Sequence, residues 1–297
     1  MSGAPAASTR AAARDPLAVR VLLTAAALLV VALFLVLPLA VVFVEAFAKG
    51  AGAFWEAVRD PETLFSVRLT LLVTTVVVAA NLLFGLAAAW AVTRFRFPGR
   101  RLVSALIELP LSISPVVSGL VFILLLGDAG IVGRHLAAHD IKVIFALPGI
   151  IIATLFVTLP YVARELIPLM EAGGSQEEEA ALTLGARGWQ IFRRVTLPNI
   201  SWGLLYGVVL ASARALGEFG AVSVVSGHVR GETTTVPLQV EILYNEYHFT
   251  AAFAVASLLS LLALFTVAVK KLLQRRVTRQ HLPLWQGGNQ GDSGGLT

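Results

Sequence analysis

The chain has 297 residues, of which 57% are hydrophobic and only 14% charged, with a net charge of +5 and no cysteine. That balance is too apolar for an ordinary soluble domain, and the missing cysteines exclude disulfides and a thiol nucleophile. The positive charge is not a nucleic-acid footprint, because the basic residues are scattered over separate loops instead of sharing one face with stacking aromatics.

A bilayer core of roughly 30 Å takes about 20 apolar residues per helix. Six stretches meet that need, at about 21–44, 69–93, 102–126, 142–163, 200–225 and 250–271, so an all-α membrane domain is expected over 21–272. Tails at 1–20 and 273–297 flank it, and no segment is left for a soluble catalytic domain. Ala46-Phe47-Ala48 has the look of a signal-peptide cleavage site. Signal h-regions run about 7–15 residues, however, so the longer first span is expected to be a retained helix. Sixteen Lys and Arg fall at or in the two tails and the connections after spans two and four, against six on the other side, with Arg214 alone deep inside a span. The excess of basic residues marks the cytoplasmic side, which puts both termini and the connection after span four in the cytoplasm.

The third span carries Glu108, Pro110, Pro115, Gly119 and Gly127. Proline removes a helix hydrogen bond and kinks the chain, which suits either a wall that opens and closes or ordinary packing irregularity. Beyond it, His135 and His139 have an i, i+4 spacing that can hold zinc. The glutamate of a metalloprotease helix is missing between them, and no metal site is expected.

The connection after span four, 173–198, is polar and structured. Ser175 with Glu178 three residues on reads as a capping box, and Glu177, Glu178 and Glu179 suit the positive end of a helix dipole. Gly185 suits the left-handed position that ends such a helix. A second short helix bearing Trp189, Ile191 and Phe192 is expected to stop near Val195, ahead of Pro198. A short capped helix between tight turns can enter a groove on another protein. The pattern Glu179-Ala180-Ala181, then Gly185, then Val195-x-Leu197-Pro198 resembles the cytoplasmic loop of ABC importer permeases, with Val195 where isoleucine is commoner. The resemblance implies a six-helix type I importer fold in the bacterial inner membrane. It also implies that this loop docks on an ABC ATPase subunit, present in two copies.

In span five, Arg214 and Glu218 stand four residues apart, hence on one helix face and able to pair. An ionisable group at membrane depth costs about 2.5–3.5 kcal/mol and should face protein or a watery path. The pair is either a structural lock or part of a translocation path or gate, and a permanent partner for Arg214 favours a latch over a binding site. Arg214-Ala-Leu-Gly-Glu218-Phe-Gly-Ala221 is similar to the fifth helix of oxyanion permeases. The stretch from Ser226-Gly-His228 through Pro237 to Tyr247 is similar to the W-type permeases of sulfate/thiosulfate importers.

The resemblance, over roughly 15–275, implies a second homologous permease subunit, a sulfate/thiosulfate-binding protein that delivers to the outer loops, and a first helix that wraps the partner. No G-x-x-x-x-G-K-[ST] occurs, so ATP and Mg would be used by the partner ATPase, with no cofactor, metal or catalytic residue of this chain's own. Membrane lipid is a partner; nucleic acid is not. Two alternatives remain: a permease for molybdate or another oxyanion, and an ion-gradient-driven transporter, which would leave the Glu179 loop unexplained.

Overall fold

The computed structural model describes residues 17–280, which form helices and connections with no strand. The expected tails at 1–20 and 273–297 fall largely outside the described residues. Among those described, five helical segments are long and apolar enough to cross a membrane: Ala18–Ala46, Pro61–Arg94, Leu147–Gly173, Gly188–Leu216 and Phe249–Val269.

The first begins as α1 (Leu17–Val31), passes through a π-helical turn at Ala32–Val36 and continues as α2 (Leu37–Ala46). Its described side chains before Pro38 are all exposed, whereas α2 packs on the last helix, α15 (Phe249–Gln280), where Ala46 and Ala254 enclose Phe54 of α3 (Gly50–Arg59).

The longest element, α4 (Pro61–Arg94), starts where Asp60 accepts the amide protons of Glu62 and Thr63 at 3.0 and 3.1 Å, with Pro61 in the first turn. This is the cap a helix start needs. Its buried stripe recurs every four residues, Leu69, Val73, Val77, Asn81, Gly85 and Ala89, so one continuous ridge faces the protein. Gly85 is required there, because a Cβ would stand 2.6 Å from the Val162 Cβ of α9 (Pro160–Gly173). Asn81 donates to the Thr158 hydroxyl at the end of α8 (Leu147–Thr158), at 2.6 Å.

The span expected over 102–126 is not one helix. It forms α5 (Arg100–Ser112) and α6 (Pro115–Leu126), bent by 107°. Pro110 is kept inside α5, and the break falls at Ile113 and Ser114, both extended. Proline disfavours helix for the residue before it, so Pro115 ends one helix and begins the next. Gly119 of α6 lets the backbone of α13 (Gly220–Val225) approach, since a Cβ there would lie 2.9 Å from the Ala221 carbonyl oxygen.

The fifth expected span is also divided. The helix begins in the polar 173–198 loop at α11 (Gly188–Ile191), runs through a π-turn at Phe192–Thr196 into α12 (Leu197–Leu216), and stops at Gly217. Residues 220–225 are the separate α13. Two of the hydrophobic clusters among the described residues include α12: one gathers Leu69, Val73, Ile150, Ala215, Val222 and Leu238 near its C-terminal end, and another gathers Ala89, Val162, Leu166, Met170, Ile200 and Ala211 toward the 173–198 loop.

Candidate functional site

The 173–198 loop folds as a short helix held between glycine turns. Gly174, with φ 65°, releases the chain from α9, and α10 (Gln176–Thr183) follows. Gly185 takes φ 84°; its amide donates to Leu182 and that of Ala186 to Ala181, at 2.9 and 3.0 Å. These two bonds satisfy carbonyls that a helix end leaves open. No residue of α10 is buried, and Leu184 is 88% exposed beside Leu182 and Trp189, which are also exposed. Among the motif residues, Glu179, Ala180, Gly185 and Pro198 are exposed, while Ala181, Val195 and Leu197 are half-buried.

The expected second helix does not stop before Pro198. The Leu197 amide bonds Phe192 instead of the carbonyl four residues back. Widening the helix by one residue in this way accommodates a proline that has no N–H to offer. Pro198 therefore sits inside a continuous segment, and the 173–198 loop runs straight into α12. The ring of Phe192 packs between Trp189 and Trp90, 5.5 and 5.0 Å away.

The three carboxylates of α10 point three ways. Ser175 makes no side-chain cap, in contrast to the sequence expectation; its hydroxyl donates to Glu179. Glu178 does not turn back to cap but pairs with Arg94 and accepts the Thr196 hydroxyl at 2.8 Å. Glu177 accepts from the Asn199 amide. A charged partner outbids the backbone amide at the helix start. Glu179 is left exposed, directed away from the contacts that bind α10 to the fold. Arg94, Thr196 and Asn199 carried no signal in the sequence, because a polar residue at the end of an apolar span looks the same whether or not it has a distant partner.

At the far end of α12, Arg214 Nη2 lies 2.9 Å from Glu218 Oε2. The pair forms although the helix ends between the two residues. Gly217 adopts the helix-ending turn, and Glu218, only 2% exposed, bends back with its other oxygen accepting the Ala221 amide at 2.9 Å. Glu218 thus caps α13 while neutralising Arg214, a cation in the last turn of α12 where the dipole favours it. Glu218, Thr70, Thr154 and Thr235 border a cavity of ≈ 10 Å³. That is about the room of one water, too little for a tetrahedral oxyanion.

The outer connection is tied down by charge. Arg230 pairs with Glu62 of α4 and Glu246, and His228 Nε2 lies 3.2 Å from Glu241 on α14 (Val236–Asn245). Thr70 of α4 accepts the Val236 amide at 2.9 Å. The rings of His135 and His139 each turn to the carbonyl four residues back, at Ile131 and His135.

The family described as binding-protein-dependent transport system inner membrane component matches residues 81–279. The sulfate transport system permease protein CysW of Escherichia coli K12 is 50% identical over 246 residues, covering 83% of this chain and 84% of that protein. The permease protein CysT of the same system and organism is 39% identical over 251 residues, covering 84% and 90%. Among solved structures, a bacterial alginate ABC transporter in complex with alginate-pentasaccharide-bound periplasmic protein superposes with a TM-score of 0.74. It covers 88% of this chain and 95% of that one, and at 18% identity it shows the fold alone.

Proposed function

This chain belongs to the family of binding-protein-dependent transport system inner membrane components, with the all-α fold of type I ABC importer permeases, and from that premise we propose that it is a permease subunit of an ATP-driven sulfate/thiosulfate importer. The observation that carries the coupling half of this reading is α10, a helix with no buried residue that presents Glu179, Leu182 and Leu184 outward from a rigidly closed turn. Exposed apolar knobs on a capped helix suit a groove on a partner, and the partner here is an ATPase subunit, one of two copies, which binds ATP and Mg. The substrate half rests on 50% identity to a sulfate permease over most of both chains.

A second, homologous permease completes the translocation path, as the 39% identity to the CysT permease supports. A periplasmic binding protein delivers the anion to the outer connections, and both termini face the cytoplasm. Closure of the ATPase pair drives the 173–198 loop as a lever on α9 and α12, shifting the path between outward and inward access. Arg214 and Glu218 act as a latch in this cycle, because the buried Glu218 carboxylate already neutralises the guanidinium that an anion would need.

Labelled-sulfate uptake tests the reading in cells lacking this chain, with and without its return. Restored uptake that thiosulfate blocks, and molybdate barely affects, is the expected result. Restoration of uptake of another anion alone would keep the permease and overturn the substrate. A Glu179→Lys chain is expected to insert and leave uptake unrestored; full rescue by that chain would overturn the docking role.

A further inference from the structure

The docking helix is not seated on an apolar core. Beneath it lies a hollow of ≈ 400 Å³ bordered by Arg94, Met170, Gly174, Glu178 and Asn199, and polar side chains span it. Arg94, the last residue of α4, makes three of these contacts at once. Its Nε lies 2.7 Å from Glu178 Oε2, an ion pair not aligned as a hydrogen bond. Its Nη1 donates to the Met170 carbonyl at 3.2 Å and its Nη2 to that of Gly174 at 2.9 Å. Those carbonyls are in the last turn and at the C-cap of α9, where unsatisfied oxygens and the negative dipole end favour a cation. The planar guanidinium can hold two carbonyls and a carboxylate together; a lysine ammonium lacks that fixed fork.

We propose that Arg94 is a positioning residue that fastens α4 to the docking helix and makes α4 a rod joining the cytoplasmic loop to the outer connection. The inference rests on the ATP-driven permease reading and adds to it a path for the displacement. The chain itself links α10 only to α9 and α11; α4 reaches α10 through the Arg94–Glu178 pair. At its other end α4 is tied just as specifically, by Thr70 to the Val236 amide and by Glu62 to Arg230. Its 34 residues form one unbroken helix, about 50 Å long at about 1.5 Å per residue, so a push at Arg94 arrives at residues 62–70 with little bending.

The experiment uses the full complex with its ATPase and binding protein in lipid vesicles, reading sulfate taken up per ATP hydrolysed. Arg94→Ala and Glu178→Ala are each expected to lower that ratio about tenfold, the equivalent of roughly 1.4 kcal/mol. The double variant should be no worse than the poorer single, since both remove one link. An unchanged ratio in assembled Arg94→Ala complex would overturn the proposal. Because the chain has no cysteine, Arg94→Cys with Glu178→Cys gives a second test should Arg94→Ala fail to assemble. A short cleavable thiol cross-linker is expected to raise the ratio of that pair and its cleavage to lower it; a formed cross-link with no effect would also overturn the proposal. ATP-independent uptake by the unaltered complex would remove the transport reading and this one together, whereas failure confined to the variants removes this one alone.

Discussion

Two arginine–glutamate pairs lie at opposite ends of this molecule and differ in kind. Arg214 and Glu218 are four residues apart, and their pair is a local device that finishes α12, starts α13 and buries a carboxylate that is 1% exposed. Arg94 and Glu178 join two elements far apart in sequence beside a hollow of ≈ 400 Å³, with side chains 16% and 17% exposed. A local pair can lock the shape of one turn, but it cannot carry motion between helices that it does not connect. The long-range pair connects a spanning helix to a surface helix that Thr196 and Asn199 also hold from the other side.

If that distinction holds, damage to the two pairs should read out differently. Glu218→Ala leaves a half-buried guanidinium without its counter-charge and α13 without its cap, at a cost of about 3 kcal/mol. It should show as the largest fall in thermal midpoint of the purified complex, with a matching loss of assembled protein. Arg94→Ala removes charge-assisted bonds at a partly exposed site, so a smaller loss of about 2 kcal/mol is expected, with transport falling more than the midpoint. Equal midpoints for the two variants would erase the contrast. Gly185→Val forces a β-branched residue into φ 84°, a local strain of about 1 kcal/mol; the expected result is normal insertion, a nearly unchanged midpoint and depressed ATP-linked uptake. Arg230→Ala, on an exposed outer pair, should shift the midpoint least, by about 0.5 kcal/mol. A large effect on uptake there would mean that the outer end of α4 matters more than its stability does.

Much of this was legible in the chain. Apolar runs of the right length marked the spans, since backbone hydrogen bonding in lipid leaves little besides helix. Gly185 announced the end of α10, because the left-handed turn there is cheap only for glycine. The breaks were harder to read. Pro110 and Pro115 sit in one apolar run, yet only Pro115 divides it, and Pro198 divides nothing, because a π-turn one residue wide absorbs it. Whether a proline kinks, breaks or is tolerated depends on which neighbours satisfy the freed carbonyl, and that is decided by packing.

The sequence by itself determined the membrane class, the helix-forming runs, the short helix that Gly185 closes and the local Arg214–Glu218 pair, all of which rest on composition or on spacing within a turn or two. The tertiary structure alone decided that α5 and α6 bend by 107°, that Glu178 turns to Arg94 and away from its own helix start, and that Glu179 is left facing outward. Those outcomes depend on charges and carbonyls brought together from separate helices, and a residue's own neighbours in sequence carry no record of a partner supplied by folding.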